Sequence, residues 1–449
     1  MADGGANPGR AAEAGSRVHV VGAGLAGLSA ALVLAERGHA VTIWEGAGHA
    51  GGRCRSFHDA KLDREIDNGS HLILTGNDAV ARYLARAGTP DALVAGEAAF
   101  PMVDLDSGER FTLRLSDGPI PWWIFDPQSR VPHTRLWDYL GGWRLAVAGP
   151  EATVAEAVRD RGPLWRAFWE PLSLAVLNTT PERGQAQLLW RVLAKTFLKG
   201  AGPSRPMFAP RGLGAALIEP ALARLSALGA EIRFNTMVRG LERAGTHVLA
   251  LDTGAGRIPL EDHDRVILAL PPSRLVRLLP ELDPPKDEGA ILNAHFRVDR
   301  TDELADAPPI LGVLGSLAHW IFVRGDVVSV TVSAADALGI LATPREDVAV
   351  QLWSETAKAL ALGKTTHTCA RIIVEKRATF DQQPEAVAKR LNAITSWSNL
   401  FLAGDATDTG LPATIEGAVL SGEIAAQAAD PARDPVRGRL RRRAESRRA

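Results

Sequence analysis

Between Arg17 and Glu45 the chain reads RVHVV, GAGLAG, LSAALVLAERG, HAVTIW and E, and few backbones accept residue types in that order. Arg17 to Val21 is β-branched and predicts a strand. Gly22, Gly24 and Gly27 come next in GxGxxG spacing. The Ala- and Leu-rich run after them predicts a helix that stops at Gly38. His39 to Trp44 predicts a second strand, and Glu45 ends it 18 residues past Gly27. Strand, glycine turn, helix, strand and acid make up the unit in which a parallel sheet meets a dinucleotide. Gly22 allows the tight turn, Gly24 lets backbone approach a pyrophosphate, and Gly27 lets the helix pack closely on the strand. The helix N-terminus, with Ala26 in its first turn, offers N–H groups and a positive dipole end to phosphates. Glu45 is placed to accept hydrogen bonds from ribose hydroxyls.

The residues directly after Glu45 separate FAD from NAD. They form a second glycine loop, GAGHAGGRCRS, with Gly51, Gly52 and Arg53. This loop keeps another stretch of backbone near the cofactor and adds a fixed positive charge beside the diphosphate. Further units of the same type return later. Glu219 to Leu228 predicts a helix, and Met237 to Leu241, His247 to Leu251 and Asp264 to Leu270 predict strands. Asn399 to Ala403 predicts a strand closing on Gly404 and Asp405, and a small-residue helix starts near Ile415 with an anion-facing end.

The fold expected is α/β: a discontinuous Rossmann-type FAD-binding domain over residues 17–71, 205–281 and 381–430. A mixed substrate domain of sheet and helices is inserted as 72–204 and 282–380. Residues 1–16 are expected to be a disordered leader and 431–449 a basic tail. A helix is predicted from Pro344 to Leu362, with Thr343 as N-cap and Glu346 completing a capping box.

Composition removes several classes of function. Lys and Arg number 51 against 52 Asp and Glu, so the basic excess of a nucleic-acid binder is missing. Two cysteines, Cys54 and Cys369, exclude a disulfide scaffold and any cysteine-rich metal site, and no metal is expected. Apolar runs are interrupted well short of the ~18 residues that a spanning helix needs. The last 17 residues carry eight Arg, a candidate electrostatic foot on an anionic membrane. Seven Trp between residues 122 and 190 suit a packed core, the wall of an apolar tunnel, or, at PIPWWIF, a membrane interface.

VVGAGLAGLSAALVLAERGHAVTIWE, GAGHAGGR and LAGDATDTGLPATIEGAVLSG together resemble the FAD-dependent amine oxidase and carotenoid desaturase superfamily. Within it, DNGSHL (67–72), WEPLSLAVLNTTP (169–181), LGVLGSLAHWIF (311–322) and TGLPATIEGA (409–418) resemble the hydroxysqualene dehydroxylases of bacterial hopanoid biosynthesis. Ser70 stands where that family's DNGxH motif carries Gln. The resemblance implies that Gly22, Gly24, Ala26, Gly27, Glu45, Gly51, Gly52, Arg53 and Gly69 bind FAD non-covalently. It implies that Val238 holds the adenine through its backbone and that Gly404 and Asp405 meet the pyrophosphate and ribityl chain. The N–H groups near Ile415, Glu416 and Gly417 would face the pyrimidine end of the flavin ring, and Thr414 is counted among the cofactor-binding residues.

The implied reaction is reductive: an allylic C–O bond of hydroxysqualene ionises with the help of an acid, and hydride from reduced flavin gives squalene. His71 is a candidate acid because it titrates near neutrality, and Asp408 is a second. Asp67 reads as structural, and His58 and His319 as non-catalytic. The aromatic that stands two residues before the terminal Glu in amine oxidases is here Thr414, which weighs against amine chemistry. Desaturation of a carotenoid-type polyene stays open as an alternative, and so does a non-catalytic flavin-bound lipid carrier. The expected setting is the inner face of the cell membrane, peripherally bound in the cytoplasm, with an electron donor that the sequence does not specify.

Overall fold

The computed structural model describes residues 17–430 apart from 160 and 364, so the leader and the basic tail lie outside the described residues. Five parallel strands form the first sheet, in the order Glu231–Arg233, Ala40–Trp44, Arg17–Val21, Arg265–Ala269, Leu400–Ala403. They come from the beginning, middle and end of the chain. The four strands other than Glu231–Arg233 are almost wholly buried, as a parallel sheet covered on both faces requires.

The helix Leu25–Glu36 comes after the glycine turn and is buried from Leu25 to Ala35, so it has no polar face at all. It packs against the C-terminal helix Ile415–Ala429. Small residues let the two backbones nearly touch. A Cβ on Gly422 would lie 2.2 Å from the Ala26 carbonyl oxygen, and Ser29 Oγ donates 2.8 Å to the Val419 carbonyl. The small-residue pattern of the terminal helix is thus a packing requirement.

The second large sheet has seven strands, ordered His367–Phe380, Asp287–Val298, Val327–Val332, Trp320–Arg324, Ile310–Leu314, Ala99–Asp104, Arg110–Arg114. All pair antiparallel except Ile310–Leu314 with Ala99–Asp104, so the sheet is mixed. Two of its strands run 12 and 14 residues and carry the sheet toward the cofactor side. A helical layer drawn from residues 122–199 packs beside it around Leu145, Trp165, Trp169 and Leu189.

One local expectation is corrected. The helix expected from Pro344 runs instead over Arg345–Ala359, with Pro344 as its N-cap and no side-chain cap bond. Pro344 sits at φ −53° and ψ 138°, outside helical values, so the hydroxyl of Thr343 falls one residue too early to cap.

Candidate active site

Two cavities meet inside the molecule. The larger, about 800 Å³, follows the carboxyl ends of the parallel strands, where an open α/β sheet binds its ligand. Gly22, Gly24, Ala26, Glu45, Gly51 and Gly52 line one end, with Val238 beside them. Gly404, Asp405, Thr414 and Ile415 line the other. Gly27 is absent from the lining for a clear reason: its Cβ would lie 1.9 Å from the Gly22 carbonyl oxygen, so it closes the turn from behind.

The lining fits an extended dinucleotide. A Cβ on Gly24 would meet nothing within 4 Å, so this glycine faces the open cavity rather than protein. Gly24 caps the helix without a side-chain bond. The second glycine loop is stitched to the first, since the Gly51 N–H donates 2.8 Å to the Ala23 carbonyl. Glu45 accepts from the backbone N–H groups of Ala23 at 2.7 Å and Ala47 at 2.8 Å. That fixes its carboxylate at the cavity edge. At the far end Thr414 Oγ1 accepts from the Gly417 N–H at 3.1 Å. The N–H groups of Ile415 and Glu416 have no acceptor among the described residues, which leaves two donors at a helix N-terminus beside the cavity.

Arg53, expected as a fixed positive charge near the diphosphate, lines the larger cavity and is itself ion-paired. Its Nη1 lies 2.6 Å from Asp405 Oδ2 and donates 2.6 Å to the Ala378 carbonyl. Arg53 thereby ties the second glycine loop to Asp405 and to the long strand His367–Phe380. Sequence inspection also passed over Arg274, Arg277 and Arg377, which bring positive charge to the larger cavity from helix and strand positions that carry no motif.

The smaller cavity, about 250 Å³, is apolar. Phe100, Phe111, Leu113, Phe168, Phe197 and Trp320 are among its walls. It touches the larger cavity at seven shared residues: Arg53, His71, Glu375, Ala378, Ala413, Thr414 and Ile415. Gly69 lines only the smaller cavity, where its Cβ would lie 3.0 Å from Asn293 Nδ2, so its contact is with the substrate side of the junction.

His71 stands at the junction and makes no hydrogen bond among the described residues. Burial holds its imidazole below the usual histidine range; nearby Asp67 opposes this and Arg53 reinforces it. The ring is therefore neutral at neutral pH, a hydrogen-bond donor rather than a cationic acid. Glu375, from the long strand, places a carboxylate at the junction; Asn68 Nδ2 lies 3.5 Å from its Oε2. It sits in the run RIIVEKRATF (371–380) and gives no local signal in the sequence.

Asp67 is structural. It accepts from the Ser56 hydroxyl, from the Leu213 N–H at 2.9 Å and from Arg324 Nη1 at 2.7 Å. Asp408 lines neither cavity: its side chain is 59 % exposed, and its Oδ1 accepts from the Gly410 N–H at 2.8 Å. The turn at Gly410 aims it outward, so it is removed as a candidate acid. His58 is exposed beside Asp63 and Glu65. His319 accepts from the Ser333 N–H, and burial pushes it down to about 4. The Cys54 thiol is buried and pushed far up by desolvation, which keeps it unreactive. The described residues hold no group of three or more metal-binding side chains and no helix long and apolar enough to cross a membrane.

A parallel sheet with a glycine-lined cavity across its carboxyl edge, joined to an apolar chamber under a mixed sheet, defines a flavin-dependent oxidoreductase of the amine oxidase type. Residues 25–429 match the family described as flavin containing amine oxidoreductase, and the chain belongs to that family and, within it, to the hydroxysqualene dehydroxylases. It is 41% identical over 415 residues to the hydroxysqualene dehydroxylase of Zymomonas mobilis subsp. mobilis, covering 92% of this chain and 99% of that one. It is 42% identical over 413 residues to that of Sinorhizobium fredii, covering 92% and 98%. Among solved structures, an oxidoreductase from Methanosarcina mazei aligns at TM-score 0.63 and 14% identity, over 91% of this chain and 99% of its own. Putrescine oxidase bound to putrescine aligns at TM-score 0.64 and 15% identity, over 92% and 98%. At such identities these two speak for the fold alone.

Proposed function

We propose that this chain catalyses the reductive dehydroxylation of hydroxysqualene to squalene with non-covalently bound FAD. The observation that carries the reading is the junction, where an apolar chamber meets the cofactor cavity beside one neutral histidine and one carboxylate. The relatives that bear the dehydroxylase name match over nearly their whole length, which supports the same substrate.

Reduced flavin, when bound, supplies the hydride. The chain's residues do the rest. Gly24, Glu45, Arg53 and the end of the terminal helix would hold the cofactor, and the Ile415 and Glu416 N–H groups would favour negative charge developing on it. The aromatic walls of the smaller cavity position the polyene and exclude water, which would otherwise capture an allylic cation. His71 donates a ring N–H to the leaving hydroxyl with the Glu375 carboxylate beside it at the junction, and the proton that leaves as water comes from solvent. One proton and one hydride then convert R–OH to R–H and water. The electron donor that reduces the flavin and the peripheral setting at the inner membrane face are part of the same proposal.

The test is a single turnover. Enzyme reduced by light and kept anaerobic should convert one equivalent of hydroxysqualene to squalene while the oxidised flavin band returns. Acid precipitation should release the flavin into the supernatant. If reduced enzyme leaves hydroxysqualene untouched while oxidised enzyme desaturates a polyene, the desaturase reading replaces this one. If neither form turns over, the lipid carrier does.

A further inference from the structure

The Trp-rich stretch divides sharply on folding. Trp123, Trp165 and Trp169 are buried, while Trp122, Trp137 and Trp143 are 59 %, 71 % and 62 % exposed. The exposed ones lie on two adjacent 3-10 helices, Trp122–Phe125 and Leu136–Val147. The second is unusually long for its type, at 12 residues. A 3-10 helix has three residues per turn, so positions i, i+3 and i+6 eclipse one another. Trp137, Leu140 and Trp143 hold that spacing and form one apolar edge facing solvent, with Leu140 itself 62 % exposed. Trp122 and Phe125 hold the same i, i+3 relation on the shorter helix, their rings 5.9 Å apart. In an α-helix the same positions would be offset by about 60° at each step instead of stacking in line.

Such an apolar edge is costly in water. Aromatic side chains of this kind bury roughly 150–250 Å² each when covered, so the patch reaches several hundred Å², the size that marks an interaction surface. We infer that these two 3-10 helices form the face by which the protein docks on a phospholipid bilayer, and that the apolar substrate passes from the bilayer through this face into the smaller cavity. The inference rests on the dehydroxylase reading for the identity of the substrate, and on the surface alone for docking.

Three observations favour lipid over a protein partner. Trp and aliphatic side chains on one edge are the composition of a bilayer interface belt. Arg135 and Arg144 are exposed, at the start of and within the second helix, and neither joins an ion pair among the described residues. Asp138 accepts from the Arg135 backbone N–H at 2.7 Å, and Asp126 accepts from the Gln128 N–H and the Ser129 hydroxyl. Residues 122–147 carry three Arg against two Asp, a net formal charge of +1 beside the apolar stripe, which complements anionic headgroups. The third observation is continuity. Val131, between the two helices in sequence, lines the smaller cavity, and it belongs to the same apolar cluster as Trp123 and Leu145 beneath the patch. Val131 thus joins the cavity wall to the packed apolar cluster beneath the patch.

The test uses the full-length holoenzyme and the triple substitution Trp137→Ser, Leu140→Ser and Trp143→Ser, with flavin content and near-UV circular dichroism as folding controls. Co-sedimentation is measured with vesicles of mixed phosphatidylcholine and phosphatidylglycerol, and with phosphatidylcholine alone. The wild type should bind both, the mixed vesicles more tightly. The variant should lose about a hundredfold or more in partitioning, given the apolar area removed. Turnover of hydroxysqualene delivered in vesicles should fall in parallel, while turnover of detergent-dispersed substrate stays at the wild-type rate. Vesicle binding that the substitutions leave unchanged overturns the inference. So does a wild type that ignores vesicles but forms an oligomer that the variant cannot, since the patch then seats a second copy. Vesicle binding that fails as expected with no turnover in detergent for either protein would sink the dehydroxylase reading and leave the docking face standing. Arg135→Gln with Arg144→Gln should weaken binding to the mixed vesicles only.

Discussion

Gly24→Val separates what the glycine turn does for the cofactor from what it does for the fold. Gly24 sits at φ −75° and ψ 176°, which any residue adopts, and a Cβ there would meet no protein atom within 4 Å. The apoprotein should therefore fold. Its cost is the loss of a favourable helix-capping glycine, about 1 kcal/mol. The branched side chain fills the space beside the turn that the lining reserves for the pyrophosphate, so flavin should be lost. At a flavin concentration 100 times the dissociation constant, binding adds about 2.7 kcal/mol to wild-type stability, and the variant forfeits all of it. Denaturant unfolding should thus show apo wild type and apo variant about 1 kcal/mol apart, and the two in excess FAD about 4 kcal/mol apart. Purified variant should be colourless. Gly27→Ala is the contrasting control: its Cβ would sit 1.9 Å from the Gly22 carbonyl oxygen and 3.3 Å from Ala269 Cβ, so it should fail to accumulate as soluble protein. Wild-type flavin content in the Gly24→Val protein, or a variant as insoluble as Gly27→Ala, would refute the reasoning.

His71→Ala should keep its flavin and slow single-turnover squalene formation about a hundredfold or more; a full-rate variant would pass the hydrogen-bonding role to water. His295 is 1 % exposed and burial pushes it down to about 4, so the folded protein holds it neutral while the unfolded chain takes up a proton near 6.5. The stability it permits is complete above pH 6.5 and is lost as pH falls toward 4, about 2 kcal/mol by pH 5. His295→Gln should flatten that acid limb in a pH series of denaturant midpoints, and an unchanged slope would place the acid sensitivity elsewhere. Truncation before Arg433 removes eight Arg and should weaken binding to anionic vesicles more at low salt than at high salt, read by co-sedimentation.

The nucleotide cradle was legible in the residues because its demands are local. A tight turn, a bare backbone and a buried helix each require particular residue types at fixed short spacing, and Gly22, Gly24, Gly27 and Glu45 satisfy them within one unit. The later cofactor segments were legible for the same reason, since Gly404 and the small-residue helix after Thr414 answer to close backbone approach. The junction was decided only by the tertiary structure. His71 comes shortly after the second glycine loop, Glu375 lies on a strand some 300 residues later, and their meeting depends on how the two long strands reach the cofactor. Asp408 shows the reverse: a residue three positions from Asp405 is turned outward by the bend at Gly410, which no spacing argument reveals. The tryptophans make the same point about surfaces. Composition marks residues 122–190 as aromatic, but burial depends on long-range packing and the solvent-facing edge on a three-residue helical period. Local backbone chemistry is written in neighbouring residues; which side chains share a cavity or face water is settled by contacts between distant ones.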